Sequence, residues 1–284
     1  MKKLALSSLI AVFAVSGAHA ANVIDGNPLY MPKANHFYSV TDLNSHTNKY
    51  PNGEKQINTW NLGEEFGYGI TDKLTVLVKT VLSEDDSFDQ AQWGEMSFGA
   101  AFRALDKGAW KLDVLGAYAV DPVWGDHMPF LKSGTDAQGT GTEYTWTAGV
   151  RGGYTTSRFT VAGKALFNYW NTESFNWDED EGFQGVHYLT LGLDGQFVLC
   201  DKLNLVAGVE YTGYMDKEWR GVPGNKVKNA GTWDGTFGVN YNIDSTKFVG
   251  AYVSGSMNHQ GGTKHDEWKA DKGFGFGAKF GIDF

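Results

Sequence analysis

The sequence predicts an all-β fold, a transmembrane antiparallel up-and-down β-barrel of about 12 strands, with ten or fourteen strands as the alternatives. Three observations support this: a composition suited to strands, an export leader, and apolar residues that alternate with polar ones between short turns. The 284 residues include 37 Gly, 10 Trp, 13 Tyr and 18 Phe but only 6 Pro. Aromatic residues favour strands, and disordered chains lack them.

The first twenty residues have the three parts of a secretory signal peptide. Lys2 and Lys3 form a basic start, residues 4–15 form an apolar run, and an Ala-His-Ala cleavage site ends at Ala20. The run is shorter than the roughly 20 residues that a spanning helix needs. We therefore expect cleavage after Ala20 and export, most simply in a Gram-negative cell. Loss of the two lysines changes the net charge from -9 to -11.

The chain divides into three predicted parts. Residues 1–20 are the cleaved leader, residues 21–34 form either a periplasmic tail or a plug of the lumen, and residues 35–284 form one barrel domain. The single cysteine, Cys200, excludes an intrachain disulfide and any multi-cysteine metal site. The acidic balance argues against a nucleic-acid partner.

Short turn signals alternate with long polar loops along the chain. Turn signals of the kind Thr-Asp-Lys recur at intervals of one hairpin plus one long loop, for example at residues 71–73 and 106–108. Short turns at one end and long loops at the other are typical of barrels that span a membrane. The predicted strands cover 35–43, 56–70, 73–83, 90–105, 109–121, 142–156, 158–170, 184–199, 202–214, 231–243, 246–257 and 272–284.

Within these strands, one face is apolar with aromatic residues near its ends, as lipid-facing girdles require. The last strand is the clearest case, since Phe276, Phe280, Ile282 and Phe284 share one face and the chain ends on a phenylalanine. This terminal pattern resembles the C-terminal assembly signal of Gram-negative outer-membrane β-barrels. The resemblance implies a porin-like channel of uncertain subfamily, in contact with outer-membrane lipid, lipopolysaccharide and the barrel-assembly machinery.

Charged residues of the strands fall mostly on the opposite, lumen-facing side, as expected because Lys or Arg facing lipid at the midplane costs about 2–4 kcal/mol. We predict a basic wall of lining residues, Lys79, Arg103, Lys111, Arg151 and Lys164. We predict an acidic wall of Glu95, Asp113, Asp194, Glu210 and Asp234. Either these walls line a pore and orient passing solutes, or the lumen is plugged and the charges neutralise one another. Inward glycines favour open space, although they also ease strand curvature.

Two residues depart from this pattern of facing. Glu64 lies on the apolar face of its strand, and we expect a β-bulge at Glu64-Glu65 to turn one carboxylate inward. His187 lies on an outward face close to a predicted loop.

These observations predict an outer-membrane channel for small hydrophilic solutes. The alternatives are a non-conducting structural or adhesion barrel and, less favoured, an outer-membrane hydrolase. The hydrolase candidates are His127, His187 with Ser174, and His259 or His265 with Asp266, and we interpret these histidines as solvated loop residues. We expect no catalytic residues, metal site or cofactor.

Two further groups of loop residues have simple explanations. The acidic runs 84–86 and 178–181 lack the ligand spacing of a calcium loop, so we interpret them as solvated charges rather than as sites for cations that bridge lipopolysaccharide. Aromatic residues near the predicted loops suit either interface anchoring or a landing site for sugars or nucleosides: Trp170, Trp177, Tyr188, Tyr214 and Trp219.

Overall fold

A computed structural model of the chain is a closed barrel of twelve antiparallel strands. Each strand pairs with its neighbours in the sequence, and the first strand pairs with the last. The residues that the structure describes are 27–49, 57–85, 92–121, 141–174, 186–200, 202–215, 231–259 and 271–284. None of the described residues forms a helix long and apolar enough to span a membrane.

The twelve strands confirm the predicted fold class. They are β1 Phe37–Lys49, β2 Ile57–Thr71, β3 Leu74–Asp85, β4 Gln92–Lys107, β5 Trp110–Asp121, β6 Gly141–Thr155, β7 Phe159–Ser174, β8 Val186–Cys200, β9 Leu203–Tyr214, β10 Gly231–Asn242, β11 Lys247–His259 and β12 Asp271–Asp283. Eleven of them begin and end within four residues of the predicted bounds. The exception is β1, which continues six residues beyond the predicted end at residue 43.

Alternation places large apolar side chains on the outside of the barrel, as predicted. On β12, Phe274, Phe276 and Phe280 are exposed, while Gly275 and Gly277 between them are buried on the inner face. The same exposed series of Phe, Leu, Val and Trp continues around the other strands. Because such a belt is stable only in hydrocarbon, the outer surface is that of a membrane-spanning barrel.

The barrel closes where β1 meets β12. Phe37 and Phe284 exchange both backbone hydrogen bonds, at 3.0 and 2.9 Å, and the antiparallel register continues to Lys49 opposite Lys272. β1 therefore begins, and β12 finishes, on the side of the barrel that carries the short connections between strands, such as residues 72–73. We call this end the turn end.

Residues 27–36 fold against the turn end of the barrel. The side chains of Leu29 and Pro32 are less than 2% exposed. The Tyr30 hydroxyl donates to Asp283 Oδ2 at 2.7 Å, and the Ala34 amide donates to an aspartate in the connection between β2 and β3. The structure thus places this segment in contact with the inside of the barrel at its turn end.

Inward glycines make room for aromatic rings, which corrects the expectation of open space at these positions. A Cβ added to Gly67 would lie 2.0 Å from the Tyr38 ring, and one added to Gly281 would lie 2.1 Å from the Phe248 ring. Both rings are 1% exposed. The glycines therefore let large inward side chains lie flat across the neighbouring strand.

Candidate functional site in the barrel lumen

All ten predicted lining residues lie on the inner face of the barrel according to the strand register. They are the bases Lys79, Arg103, Lys111, Arg151 and Lys164 and the acids Glu95, Asp113, Asp194, Glu210 and Asp234. Glu65 and Lys279, which the alternation of their strands also predicts to face inward, do so, and the structure adds Asp42 to the inner face. Charged groups thus face the lumen on β1 to β10 and on β12.

One carboxylate joins two arginines of the basic set. Asp113 on β5 accepts hydrogen bonds from Arg103 Nε at 2.7 Å and Nη2 at 3.2 Å, and from Arg151 Nη2 at 2.7 Å and Nε at 3.1 Å. The three residues are directly opposed on β4, β5 and β6, and Asp113 is fully buried. Two cations around one buried anion leave one net positive charge at this level.

The segment at the turn end contacts this same cluster. Arg103 Nη2 also donates to the backbone carbonyl of Leu29 at 2.6 Å. That carbonyl is the negative end of a peptide dipole, so it suits the excess positive charge of the two arginines. Residues 27–36 are therefore fixed to the inner wall by a charge-assisted hydrogen bond.

A second buried network lies beside β1. The Tyr38 hydroxyl donates to Glu65 Oε1 at 2.7 Å, and Lys79 Nζ lies 2.7 Å from Glu65 Oε2. Further along β1, Asp42 accepts from the Tyr252 hydroxyl at 2.9 Å. Lys79 and Glu65 form a neutral pair, and the charge of Asp42 is met by a lysine of β12.

That lysine is Lys279, whose ammonium lies 3.8 Å from Asp42 and 4.8 Å from the centre of the Tyr252 ring. The sequence prediction did not name Asp42 as a lining residue, although the predicted first strand, 35–43, includes it. The series Tyr38, Val40, Asp42, Asn44 carries a period of two that would have placed Asp42 inside.

The three strands β8, β9 and β10 form an acidic side of the lumen. They carry Asp194, Glu210 and Asp234, and none of the three strands contains Lys or Arg. Lys164 of β7 reaches across, with its ammonium 2.5 Å from Glu210 and 3.8 Å from Asp194. One ammonium therefore serves two carboxylates.

Asp234 extends this acidic side. It lies directly opposite Glu210 in the strand register. Its Oδ2 is buried and has no hydrogen-bond partner among the described residues. This side of the lumen thus has an excess of negative charge. The two arginines around Asp113 lie on β4 and β6, and the remaining predicted acid, Glu95, is buried on β4.

The remaining predicted base, Lys111, lies near the turn end. Its ammonium is 3.0 Å from both carboxylate oxygens of Asp106, which is itself exposed. Lys111 is therefore neutralised at the rim.

Neutral polar side chains line another part of the inner face. Thr147 donates to Asn168 at 2.7 Å, Asn168 donates to Thr190 at 3.2 Å, and the Thr190 and Thr212 hydroxyls lie 3.1 Å apart. These residues come from four successive strands, β6 to β9. Such a ladder gives a hydrophilic wall without net charge.

Aromatic residues cluster on the inner side near the ends of β7 to β9 that lie opposite the turn end. Trp170 and Tyr188 are buried, and Tyr214 packs beside them with its ring centre 6.3 Å from that of Tyr188. Of the five aromatic residues considered as a solute landing site, the structure brings these three together. Trp177 and Trp219 lie outside the described residues.

The predicted bulge at Glu64-Glu65 is wrong. The pairing of β1 with β2, and of β2 with β3, runs through both residues without a register shift. Glu65 faces the lumen and Glu64 faces outward. Ser39 and Thr41 on β1 donate hydrogen bonds to the Glu64 carboxylate, so the strand has no need to turn it inward.

The hydrolase candidates do not converge within the described part of the chain. His187 faces outward and stacks on Tyr169, with ring centres 4.9 Å apart. His127, His265 and Asp266 lie outside the described residues, and the side chains of Ser174 and His259 are not described. The sequence did not single out His46, whose Nε2 lies 3.5 Å from Ser256 Oγ, but this histidine is only 6% exposed.

The acidic runs also lie largely outside the described residues. Only Glu84 and Asp85 of the first run belong to a described strand, and the whole run 178–181 is undescribed. Among the side chains that the structure describes, no group of three His, Cys, Asp or Glu is arranged to hold a metal ion.

No family model and no curated protein matches the sequence. Several solved structures share its fold. The translocator domain of the autotransporter NalP from Neisseria meningitidis matches with a TM-score of 0.57 at 10% identity, over 98% of this chain and 97% of that one.

An outer-membrane channel from Pseudomonas putida F1 matches with a TM-score of 0.54 at 11% identity, over 92% of this chain and 100% of that one. The NanC porin matches with a TM-score of 0.52 at 6% identity, over 84% of this chain and 98% of that one. At these identities the likeness concerns the fold alone. Together with the closed twelve-stranded barrel, it shows that the chain has the fold of the bacterial outer-membrane β-barrels.

Proposed function

We propose that the protein is exported, loses residues 1–20, and forms a narrow outer-membrane channel for small hydrophilic solutes. The observation that carries this proposal is the chemistry of the inner face. Charged side chains, amides and hydroxyls face the lumen on successive strands, whereas a barrel that serves only as a scaffold has no need for an uneven charge distribution inside. Polar linings of this kind set which solutes pass.

The channel is narrow because much of its lining is packed. Arg103, Asp113, Arg151 and Lys164 are each at most 8% exposed. In a wide, water-filled pore these side chains would be exposed to the lumen. A barrel of twelve strands lies between small barrels filled by their own side chains and sixteen-stranded porins with an aqueous channel.

The lining divides the lumen into two electrostatic sides. The acidic side is Asp194, Glu210 and Asp234, and the basic side is the pair of arginines around Asp113. A solute that passes between them experiences a transverse field. Two of the three structural neighbours described above are named a porin and a channel, which agrees with this proposal at the level of the fold.

A non-conducting barrel is the second candidate. The contact of residues 27–36 with Arg103 favours it, since this segment occupies the turn end. The third structural neighbour is a translocator domain, so the fold also serves proteins that are not named as channels.

Planar-bilayer recording of the refolded protein without residues 1–20 separates these functions. We expect discrete conductance steps in KCl, smaller than those of sixteen-stranded porins recorded under the same conditions. Absence of conductance at every voltage, from protein that is folded by circular dichroism, would reject the channel.

The remaining expectations concern partners and catalysis. In this proposal the terminal residues Phe276, Phe280, Ile282 and Phe284 are read by the barrel-assembly machinery, the outer belt contacts lipid and lipopolysaccharide, and the chain performs no catalysis. Assays of the purified protein on phospholipid, lipid A and peptide test the last point directly. Turnover that follows the protein through purification would overturn it.

A further inference from the structure

Three aromatic side chains form a row on the outer face of the barrel at its turn end. Trp110 of β5, Tyr154 of β6 and Phe159 of β7 have ring centres 5.0 Å apart for the first pair and 5.9 Å apart for the second. Trp110 is 60% exposed and Phe159 is 41% exposed. Aromatic rings at the end of an apolar belt lie at the level of the lipid headgroups. The row therefore marks the boundary between hydrocarbon and water on this part of the barrel.

An irregularity in β4 places a lysine at one end of this row. The pairing of β4 with β5 shifts between Arg103 and Leu105, as in a β-bulge, so the alternation of sides changes there. Beyond the shift, Lys107 lies directly opposite Trp110 and shares its outer face. Without the shift, Lys107 would share the inner face with Arg103. The bulge thus brings the exposed side chain of Lys107 to the membrane boundary.

The same shift turns the neighbouring acid away from Lys107. Asp106 lies opposite Lys111 on the inner side, and the Lys111 ammonium is 3.0 Å from both Asp106 carboxylate oxygens. Within the part of the chain that the structure describes, Lys107 forms no ion pair. Its charge is therefore available to a group from outside the chain.

Arg158 provides a second cation at the other end of the row. It belongs to the tight turn between β6 and β7, which is closed by a hydrogen bond from the Thr156 amide to the Phe159 carbonyl at 2.8 Å. Arg158 is exposed, immediately precedes Phe159 and forms no ion pair with a described residue. Among the described residues, the outer faces of β4 to β7 carry no acidic side chain at the turn end. Two positive charges thus flank three rings with no counter-charge on the same face.

We propose that the headgroup of an anionic phospholipid binds at this girdle patch, which consists of Lys107, Trp110, Tyr154, Phe159 and Arg158. Basic residues beside a membrane attract anionic lipids, and the two uncompensated cations favour a lipid with net negative charge over a zwitterionic one. The short turns of outer-membrane barrels face the periplasm. In that orientation the girdle patch meets the phospholipid leaflet, rather than the leaflet that holds lipopolysaccharide.

A lipid suits the girdle patch better than a free phosphate ion does. Away from the turn end, the outer face continues below the rings with Leu112, Val150 and Val161, which are exposed apolar residues. These side chains contact the acyl chains of a lipid whose phosphate contacts the cations, whereas a free ion gains nothing from them. The proposal rests on a barrel that spans a membrane, and it does not depend on conduction through the lumen.

Native mass spectrometry of the mature protein in detergent tests the girdle patch. Phosphatidylglycerol and phosphatidylcholine with the same acyl chains are titrated separately, and the fraction of protein with one bound lipid gives each dissociation constant. We expect phosphatidylglycerol to bind more tightly, because the two lipids differ in headgroup charge and share their chains. Glycerol phosphate, which has the phosphate without the chains, should not displace phosphatidylglycerol at the same concentration.

Charge variants assign the lipid preference to the patch. Lys107→Gln and Arg158→Gln should each weaken phosphatidylglycerol binding about fivefold, the effect of one cation beside an anionic lipid, and leave phosphatidylcholine binding unchanged. Lys107→Arg keeps the charge and should retain the affinity. Lys247→Gln is the matched control, since Lys247 faces outward at the turn end of β11 and pairs with Asp244 at 3.5 Å.

Three outcomes would overturn the proposal. They are equal binding of the two lipids by the wild-type protein, displacement of phosphatidylglycerol by glycerol phosphate, and an equal loss of phosphatidylglycerol binding in Lys247→Gln and Lys107→Gln. Because the substituted side chains lie on the surface, the variants should fold, and circular dichroism verifies that they do.

Discussion

The carboxylate of Asp113 accepts two hydrogen bonds from the guanidinium of Arg103, and no part of the Asp113 side chain is exposed to solvent. The same carboxylate binds Arg151 on the other neighbouring strand. Three strands are thus linked on the inner face by one anion. Removal of one partner from a buried ion pair strongly destabilises the folded protein. We therefore expect the link through Asp113 to stabilise the pairing of β5 with β4 and β6.

Substitution of Asp113→Asn should therefore destabilise the barrel by about 3–5 kcal/mol, because two buried arginines would lose their counter-charge. Urea unfolding in detergent or lipid, followed by tryptophan fluorescence, measures this change. Asp106→Asn is the control, since Asp106 pairs with Lys111 at the exposed rim, where an ion pair contributes about 0–1 kcal/mol. Equal effects of the two substitutions would contradict a structural role for the buried cluster.

Deletion of residues 27–34 should increase the single-channel conductance. The segment occupies the turn end of the lumen, with the Leu29 carbonyl bound to Arg103 and Leu29 itself buried. Deletion of residues 21–26 provides the control for shortening of the chain. We expect the control to conduct like the full mature chain. If the protein without residues 27–34 also has that conductance, the solute path bypasses this segment.

Substitution of Asp234→Asn should reduce the preference of the channel for cations. Within the described part of the chain, Lys164 forms the ion pairs of this acidic side, to Asp194 and Glu210, so removal of the Asp234 carboxylate lowers the negative charge there. The reversal potential in a KCl gradient reports this change. Asp244→Asn, in the exposed turn before β11, removes the same charge away from the lumen and should leave the reversal potential as it is. A matching shift in both variants would assign selectivity to the overall charge of the protein.

Substitution of Gly281→Ala should destabilise the barrel by about 1–3 kcal/mol, as overpacking of a filled interior does. The new Cβ would lie 2.1 Å from the Phe248 ring, which must move. Gly63→Ala is the matched control, because its nearest neighbour is 3.8 Å away, an ordinary contact distance. Urea midpoints measure both variants, and a Gly281→Ala barrel as stable as Gly63→Ala would show that the ring moves freely.

Most of the fold could be predicted from the sequence because a membrane barrel has a period of two in every strand. Outward residues are mostly apolar and inward residues need not be, so facing follows from this alternation, and the turn signals between the strands indicate their number. The end of β1 was predicted wrongly because its outer face includes Ser39, Thr41 and Ser45, which weaken the apolar signal.

The candidate site could be predicted only in part. Facing places Asp113 and Arg151 inside, but their pairing depends on the strand register, which single-strand patterns leave open. The bulge at Glu64 was wrong for the same reason, since the hydroxyls that satisfy Glu64 belong to a neighbouring strand. The contact between Leu29 and Arg103 spans 74 residues, and no local pattern encodes it.

The junction of β1 with β12 differs from every other strand pairing of the barrel. The other eleven join strands that follow each other in the sequence, so each forms by local zippering. The junction joins Phe37 to Phe284, and the entropy of closing so long a loop is lost in this one step. We therefore expect closure to be the slow, final event of folding. Until then two unpaired strand edges are open to the addition of a foreign strand.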